Sequence, residues 1–484
     1  MNDYKNLRPL EVFKWFNEIS MIPRCSGDEK RISDFLVDFA KERGLEYFQD
    51  KENNVIIKKS ATPGFENAPT VIIQGHMDMV CEKTENSLHD FTCDPIKWIV
   101  EGDKLKALDT TLGGDDGIAI AYALSILDSN SIEHPNVEVL ITTNEETGMD
   151  GANAVDGKLL SGNILLNIDA EEEGVFLASC SGGANSYVEF KKEYEKIKDR
   201  VGIEISISGL LGGHSGMEIH KQRGNSIKLM GRILYELKKK IDFRIAELIG
   251  GSKHNAIANT GNVIIAIKEA DLEKAMEIID NFSEVLRNEY KFSDKNLLIE
   301  RKYIESIDLA FSKDLTKRLI YFMNLILYGV RDMDLNIKDL VQSSSNIGVI
   351  INSEKSITFM SCVRSSVDSI LKDELNEIEI LADLVDAKSW VEKEYPAWEF
   401  SDQSRIRDLA IKSYKKLFNK EPLISAAHCG LETGIIKAKK KELDILSYGP
   451  DLRDVHTFNE NLSISSVERT WEFTKELLKN LKDY

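Results

Sequence analysis

A series of short acidic and histidine-containing motifs constrains this fold more than any other feature of the sequence. Most follow directly after an apolar, strand-like run. The motifs are Gly75-His76-Met77-Asp78, Gly113-Gly114-Asp115-Asp116-Gly117, Asn144-Glu145-Glu146-Thr147 and Asn167-Ile168-Asp169, and His456 follows a later apolar run. In open α/β sheets, ligands bind beyond the carboxyl ends of the strands. The pattern therefore predicts one site collected at the end of a parallel sheet.

The remaining periodicity supports an α/β fold. Short apolar runs such as Val71–Ile73 and Val137–Thr142 read as buried strands, and they alternate with helical patterns such as the nearly all-apolar stretch Gly117–Leu127. Continuous apolar strands are typical of parallel sheets covered on both faces. We therefore predict a mixed, largely parallel sheet sandwiched by helices.

A change of pattern in the middle of the chain predicts a second domain. Ile203, Ile205 and Ile207 alternate with polar residues, which indicates a half-solvated antiparallel strand. The predicted organisation is a catalytic domain at residues 1–182 and 392–484, interrupted by an inserted α+β lid domain at residues 183–391. A capping box, Ser465 with Glu468, is predicted to open the terminal helix.

Composition narrows the classes of protein. The 484 residues are 42% hydrophobic and 30% charged, with a formal net charge of -19 and a pI near 5.1. Binding of nucleic acid needs a basic surface, so that class is disfavoured. The N-terminal segment lacks an apolar signal core, and no apolar run approaches the roughly 20 residues of a membrane span. The sequence therefore predicts a cytoplasmic protein with neither nucleic-acid nor membrane partners.

The cysteines predict reduced thiols. Six cysteines in so long a chain, without a CxxC pair, do not form a disulfide framework. An alternative is a structural zinc site at Cys81, His89 and Cys93, although a fourth ligand is not close in sequence.

The motifs have the chemistry of a two-metal hydrolytic site. Such sites hold ions roughly 3.5 to 4 Å apart, share a carboxylate between them and use histidine nitrogen and carboxylate oxygen as ligands. Without cations, two carboxylates 4 Å apart would repel by about 4 kcal/mol at an effective dielectric constant of about 20. On an extended segment, Glu145 and Glu146 would point in opposite directions, so that one binds metal while the other acts as a base. Suitable ligands are His76, Asp115, Glu146, Asp169 and His456.

Together these residues resemble the co-catalytic zinc exopeptidases of the carboxypeptidase G, aminoacylase and carnosinase type. The resemblance spans nearly the whole chain. Within that family the sequence is most similar to the aminoacyl-histidine (Xaa-His) dipeptidases. Four segments carry this similarity: Gly75–Val80, Thr110–Asp115, Lys253–Ile257 and His428–Glu432. The resemblance implies metal-dependent hydrolysis of dipeptides, either of those ending in histidine or of a broad range, and two divalent metal ions per chain. Zinc is the expected metal, with manganese and cobalt as alternatives.

The resemblance also implies a role for each residue. One metal would be bound by His76, Asp115 and Asp169, and the other by Asp115, Glu146 and His456. Asp78 would hydrogen-bond His76 and orient its ring. Glu145 would be the general base. The peptide bond between Asp115 and Asp116 is expected to be cis, while Asp116 itself is predicted to cap the following helix.

The lid contributes three further candidates by resemblance, and a loop near the metals contributes a fourth, Gly430. His214 would donate a hydrogen bond to the oxyanion of the tetrahedral intermediate. Asn255 and Arg364 would receive the substrate, since the forked guanidinium of arginine suits a terminal carboxylate. Gly430 would contribute a backbone contact. Whether His214 acts within its own chain or across a homodimer stays open.

Simpler interpretations exist for each motif. A single His-x-Asp usually ends a strand as a polar loop, an isolated glutamate pair is usually solvated, and His456 alone would favour a surface role. Their common order along the chain favours the enzyme. The alternatives are an amide hydrolase acting on N-acyl amino acids at the same metal centre, and a non-catalytic metal-binding protein on the same fold.

Overall fold

The computed structural model describes residues 4–484, which form two compact units. Unit 1 comprises the described residues up to Cys180 together with Phe400–Ala426 and Leu431–Tyr484. Unit 2 comprises Ser181–Glu399 and Ala427–Gly430. The predicted inserted domain, residues 183–391, lies within the range of unit 2.

The first segment of unit 1 alternates helices and strands, as the apolar periodicity predicted. Its helices are α1 (Leu10–Ser20), α2 (Lys30–Glu42), α3 (Gly114–Asp128), α4 (Glu145–Gly148) and α5 (Asp150–Ala154). Its strands are β1 (Glu46–Gln49), β2 (Val55–Lys59), β3 (Val71–His76), β4 (Trp98–Glu101), β5 (Lys104–Ala107), β6 (Val137–Thr142), β7 (Ile164–Asn167) and β8 (Val175–Cys180).

Unit 2 is built on antiparallel sheets. Its strands are β9 (Gly182–Lys191), β10 (Tyr194–Lys196), β11 (Arg200–Ser208), β12 (Phe243–Gly250), β13 (Gly261–Lys268), β14 (Leu298–Ile304), β15 (Leu309–Phe311), β16 (Gly329–Met333), β17 (Val341–Asn352), β18 (Ser356–Ser365) and β19 (Lys388–Tyr395). Its helices are α6 (Ser226–Lys238), α7 (Leu272–Tyr290), α8 (Lys313–Leu325) and α9 (Asp368–Leu384). One sheet has the order β12-β13-β11-β14 and another β16-β17-β18-β9-β19.

The last segment of the chain completes unit 1. Its elements are α10 (Arg405–Phe418), β20 (Leu423–Ala427), α11 (Glu432–Lys439), β21 (Asp444–Ser447), β22 (Leu452–Arg453), β23 (Asn461–Ser463) and α12 (Ile464–Asn480). The main sheet has the order β1-β2-β6-β3-β7-β21-β8-β20, in which β6, β3, β7 and β21 are parallel neighbours. The predicted mixed sheet with a largely parallel core is confirmed.

The apolar character of α3 explains its central position in unit 1. Nearly every side chain from Ile118 to Leu127 is buried, and the helix packs against both α1 and β3. Tyr122, the one aromatic residue in that stretch, donates its hydroxyl hydrogen to the carbonyl of Val467 in α12, at 2.9 Å. A helix that is apolar on all sides belongs in a core, and α3 lies in the core of unit 1.

The predicted capping box of the terminal helix was wrong. The cap of α12 is Ser463, whose Oγ accepts the Ser466 N–H at 3.3 Å, whereas Ser465 donates its hydroxyl to Asp103. The hydroxyl of Ser465 is therefore bonded to the carboxylate of Asp103, which is distant in sequence, and does not cap the helix.

The prediction of reduced thiols was also wrong for one pair. Cys25 and Cys81 form a disulfide, with Cα atoms 5.7 Å apart, and a parallel bridge between Cys25 and Met79 places their segments side by side. Cys93 is free and exposed. The alternative zinc site at Cys81, His89 and Cys93 therefore loses one of its three ligands.

Across residues 4–484, no helix combines the length and the apolar character needed to cross a lipid bilayer.

Candidate metal centre

Three adjacent parallel strands deliver acidic and histidine side chains to one edge of the main sheet. His76 is the last residue of β3. Glu145 and Glu146 lie in α4, just after β6 ends at Thr142, and Asp169 follows the end of β7 by two residues. Because β6, β3 and β7 are neighbours in that order, their carboxyl ends meet at the same place.

Asp115 lies between two histidines that come from opposite ends of the chain. Its Oδ1 is 3.1 Å from Nε2 of His76, and its Oδ2 is 3.1 Å from Nε2 of His456. The peptide bond from Asp115 to Asp116 is cis, as the resemblance implied. One oxygen of the Asp115 carboxylate faces each histidine, so this group could be shared by two ions.

Two further carboxylates complete a set on either side of Asp115. Asp169 Oδ1 lies 3.6 Å from His76 Nε2, and Glu146 Oε2 lies 3.0 Å from His456 Nε2. The ligand atoms of Asp115, Glu146 and His456 all lie within 4.8 Å of one another. Asp115 thus lies near both histidines, with Asp169 on the side of His76 and Glu146 on the side of His456.

Asp78 connects His76 to the glutamate pair. It is fully buried, and Nδ1 of His76 lies 3.1 Å from its carbonyl oxygen and 3.4 Å from its Oδ1. The same carboxylate accepts the backbone N–H groups of Glu145 at 3.0 Å and Glu146 at 3.2 Å, as well as the hydroxyl of Ser26 at 2.8 Å. Asp78 thus orients the ring of His76 and the start of α4 at the same time.

The close carboxylates of the cluster favour positive charge on the neighbouring histidines. Hydrogen bonds to Asp115 and Glu146 raise the pKa of His456 to about 11. Burial alone would lower the pKa of His76, but its hydrogen bonds to Asp115, Asp169 and Asp78 raise that pKa well above its ordinary value. Burial also raises the pKa of Asp169, to about 6. Carboxylates packed this closely must be neutralised, by protons or by cations.

One buried atom indicates that cations suit the cluster better than protons. Oε1 of Glu146 is buried and has no hydrogen-bond partner among residues 4–484. A buried carboxylate oxygen without a partner is costly. A divalent ion would use this oxygen as a ligand, and the mixture of imidazole and carboxylate groups fits zinc, manganese or cobalt.

The structure corrects two details of the sequence interpretation. Glu145 and Glu146 lie in a helical turn rather than an extended segment, and oxygens of both lie within 4.8 Å of a His76 nitrogen. Asp116 does not cap α3, since its Oδ2 accepts the backbone N–H of His76 at 3.2 Å. Asp116 therefore supports β3, and it also lies close enough to His76 and Asp169 to share an ion with them.

A buried polar network beneath the cluster was missed in the sequence. Oε2 of Glu432 accepts hydrogen bonds from Gln74 and Thr142, both at 2.6 Å, and Oε1 of Gln74 accepts one from Asn167 at 2.7 Å. These three partners lie on β3, β6 and β7, close before the acidic motifs. Burial raises the pKa of Glu432 to about 8. The only sequence signal was a polar residue within each otherwise apolar strand.

Unit 2 contains the lid candidates His214, Asn255 and Arg364, and also Gly430, which the predicted boundaries place outside the lid. His214 forms a bridge with Ala256, next to Asn255, whose carbonyl accepts the Ser215 N–H at 2.8 Å. The backbone N–H groups of Gly216 and Met217 point to Nδ1 of His214, at 3.3 and 3.0 Å. These bonds require Nδ1 to accept, which leaves Nε2 of a neutral ring as the donor.

Gly216 marks the point where several of these side chains converge. A Cβ atom there would lie 3.2 Å from His214 Cε1, 3.3 Å from Arg364 Nε and 2.4 Å from the carbonyl oxygen of His428. His428, two residues before Gly430, is itself hydrogen-bonded through Nε2 to Ser344 at 2.7 Å. The lid thus gathers an imidazole and a guanidinium around a glycine that leaves room for them.

The comparisons with known proteins place the chain among peptidases. Residues 205–294 match the family model described as a peptidase dimerisation domain. The chain is 34% identical to the cytosol non-specific dipeptidase of Escherichia coli, with 99% of each chain covered. It is similar to the crystal structure of aminoacylhistidine dipeptidase from Vibrio alginolyticus, with a TM-score of 0.92, 33% identity and coverage of 99% and 98%. A tripeptidase from Staphylococcus aureus, 15% identical with a TM-score of 0.58 and coverage of 99% and 100%, shares the fold.

Proposed function

The chain belongs to the family of metal-dependent peptidases that includes cytosol non-specific dipeptidase, and we propose that it hydrolyses unblocked dipeptides at a centre of two divalent metal ions. The observation that carries this proposal is the position of Asp115, with one carboxylate oxygen toward each of two histidines. His76, Asp115 and Asp169 would hold one ion, and Asp115, Glu146 and His456 the other. Zinc is the expected metal.

Bound metals would supply Lewis-acid activation of the scissile carbonyl and of the attacking water. Glu145 is the residue proposed to move the proton. Burial raises the pKa of its carboxyl group well above the ordinary value, which suits a group that must both accept and release a proton. It takes a proton from the water as the oxygen joins the carbonyl carbon, and it gives that proton to the amine nitrogen as the C–N bond breaks.

Asp78 would hold the base and the ligands in register rather than react. Its carboxylate contacts the N–H groups of both Glu145 and Glu146. In the lid, Arg364 would pair with the terminal carboxylate of the substrate, while Asn255 and the backbone of Gly430 would contact its polar groups. The guanidinium of Arg364 is buried, and its Nη1 donates to the hydroxyl of Tyr395 at 2.7 Å.

His214 would donate a hydrogen bond to the oxyanion, and its removal is a testable step. Replacing His214 with alanine should lower kcat by about 10²- to 10³-fold, the usual effect of losing one oxyanion donor. Metal content should not change, because His214 lies in unit 2, apart in sequence from the metal ligands. Steady-state kinetics and elemental analysis of the same preparation measure both. An unchanged kcat would exclude this role.

The relatives suggest the substrate range, the assembly and the location. One carries the name of a non-specific dipeptidase of the cytosol and another that of an aminoacylhistidine dipeptidase. We therefore propose a cytoplasmic enzyme that accepts several dipeptides, including those that end in histidine. The match to a peptidase dimerisation domain supports a homodimer formed through unit 2.

Activity on a small substrate panel tests the proposal directly. The metal-reconstituted protein is assayed with Ala-His, β-Ala-His, Gly-Gly, Ala-Leu, a tripeptide and N-acetyl-Ala. Cleavage of the free dipeptides is expected, together with loss of activity on dialysis against a chelator and recovery with zinc, manganese or cobalt. Cleavage of N-acetyl-Ala alone would instead identify an N-acyl amino acid hydrolase. If the metal-loaded protein cleaves nothing, the catalytic proposal fails.

A further inference from the structure

We propose that Glu460 is a positioning residue for the carboxylate of Asp115, and that Arg24 holds the same turn through a backbone carbonyl. This inference rests on the proposed function, because it assigns Glu460 to the same metal centre. The motifs in the sequence did not point to either residue. Both are buried charged residues whose hydrogen bonds converge on the turn before α3.

The carboxylate of Glu460 collects four consecutive backbone N–H groups. Its Oε2 accepts from Leu112 at 2.7 Å and from Gly113 at 2.9 Å. Its Oε1 accepts from Gly114 at 2.7 Å and from Asp115 at 3.3 Å. A carboxylate has about four acceptor sites, so the four N–H groups of the turn that leads into Asp115 occupy all the acceptor sites of Glu460.

Arg24 holds the same turn to the strand that carries His76. One terminal nitrogen donates to the carbonyls of Met77 at 2.9 Å and Asp78 at 3.2 Å, and the other donates to the carbonyl of Gly113. The turn therefore gives its N–H groups to Glu460 and a carbonyl to Arg24. The opposite charges of the two side chains make both sets of bonds stronger than bonds between neutral groups.

The turn fits between these two side chains only because it contains glycine. A Cβ atom on Gly113, where φ is +70°, would lie 2.5 Å from Nη2 of Arg24. A Cβ atom on Gly114 would lie 2.7 Å from Leu452 Cδ2 and 3.2 Å from Glu460 Oε1. A side chain at Gly113 would therefore displace Arg24, and one at Gly114 would crowd Leu452 and Glu460.

Glu460 joins two loops that are far apart in the sequence. It follows His456 by four residues, while the turn that it holds carries Asp115, 341 positions before His456. Asp115 contacts histidines in both proposed metal sets. A shift of this turn would therefore disturb both sets together, although Glu460 itself binds no metal.

The test compares Glu460→Gln with a matched control, Glu138→Gln. Glu138 is also buried in unit 1, and it accepts the N–H groups of Ser161 at 2.9 Å and Gly162 at 3.0 Å, but it lies at the start of β6, at the end opposite to α4. Glutamine keeps the shape of the side chain, while its NH₂ group would face N–H donors. Both variants lose charge-assisted bonds, but only one of them lies at the metal centre.

The readouts are the zinc dissociation constants of the full chain, from chelator competition, and the melting temperature of the metal-free protein. Glu460→Gln should weaken zinc binding about 10- to 100-fold, as is usual for groups that orient ligands. Glu138→Gln should lower the melting temperature while zinc affinity stays within about twofold of the wild type.

Wild-type zinc affinity in Glu460→Gln, or an equal loss in Glu138→Gln, would overturn the inference. The proposed function can fail separately. If the wild type cleaves no dipeptide but zinc binding still weakens only in Glu460→Gln, the positioning role stands without the peptidase activity. If the wild type cleaves dipeptides and Glu460→Gln binds zinc normally, the positioning role alone is wrong.

Discussion

Replacing Glu145 with glutamine is expected to lower kcat for dipeptide hydrolysis by about 10²- to 10⁴-fold, the usual contribution of a general base. The amide keeps the size of the side chain but cannot accept the proton from water. The backbone N–H of Glu145, which donates to Asp78 at 3.0 Å, is unaffected by the substitution. The metal content and KM should therefore change little, and steady-state kinetics with elemental analysis would measure all three quantities.

Glu146→Gln is the matched control for this substitution, because the two residues are adjacent in the same helical turn. Glu146 faces His456 at 3.0 Å and is proposed as a metal ligand. Its replacement should reduce both metal affinity and kcat, whereas Glu145→Gln should reduce kcat alone. A Glu145→Gln variant that retains a tenth or more of the wild-type kcat would remove Glu145 from the mechanism.

The elements that carry the candidate metal centre could be predicted because their signals are local. The run Val137–Thr142 is a strand with the predicted bounds, and β3 extends the predicted Val71–Ile73 to His76. A parallel strand that is buried on both faces is largely apolar, so an acidic motif directly after it stands out. The same reasoning located Asp169 after β7.

The residues that support the centre could not be predicted because their partners are distant in sequence. Glu460 binds a turn about 350 residues before it, and Glu432 contacts Gln74 across 358 positions. A single glutamate in a loop or at the start of a helix looks the same whether it is solvated or buried against N–H groups. The Cys25–Cys81 disulfide could not be predicted for the same reason, because its cysteines are 56 residues apart in the sequence. Nonlocal packing brings these groups together, and no local spacing records it.

The hydrogen-bond partner of Asp116 is also distant in sequence, which is why the predicted cap was wrong. The residue after a Gly-Gly-Asp turn at the start of a helix is a reasonable cap, but the backbone at Asp115 and Asp116 is not helical. The side chain of Asp116 instead reaches the His76 N–H on a neighbouring strand. The competing donor on β3 is present only in the folded sheet.

Replacing Asp115 with asparagine should have the broadest effect of any single substitution, because both proposed metal sets share this residue. Asparagine offers one acceptor oxygen, so its NH₂ group must face either His76 or His456, each now 3.1 Å from a carboxylate oxygen. Loss of a group that only orients a ligand costs about 10- to 100-fold in affinity. Loss of the shared ligand should lower the metal affinity by more than about 100-fold and leave at most one metal bound per chain.

Metal content after dialysis and dipeptide hydrolysis, both measured on the purified variant, would test this expectation. Asp109→Asn is a suitable control, since Asp109 is exposed and lies six residues before Asp115 in the same connection. Its φ of +60° is one that asparagine adopts readily. The control should keep two metals and full activity. If Asp115→Asn also keeps two metals, the carboxylate between the histidines is not a bridge, and the paired sets that carry the proposed function must be redrawn.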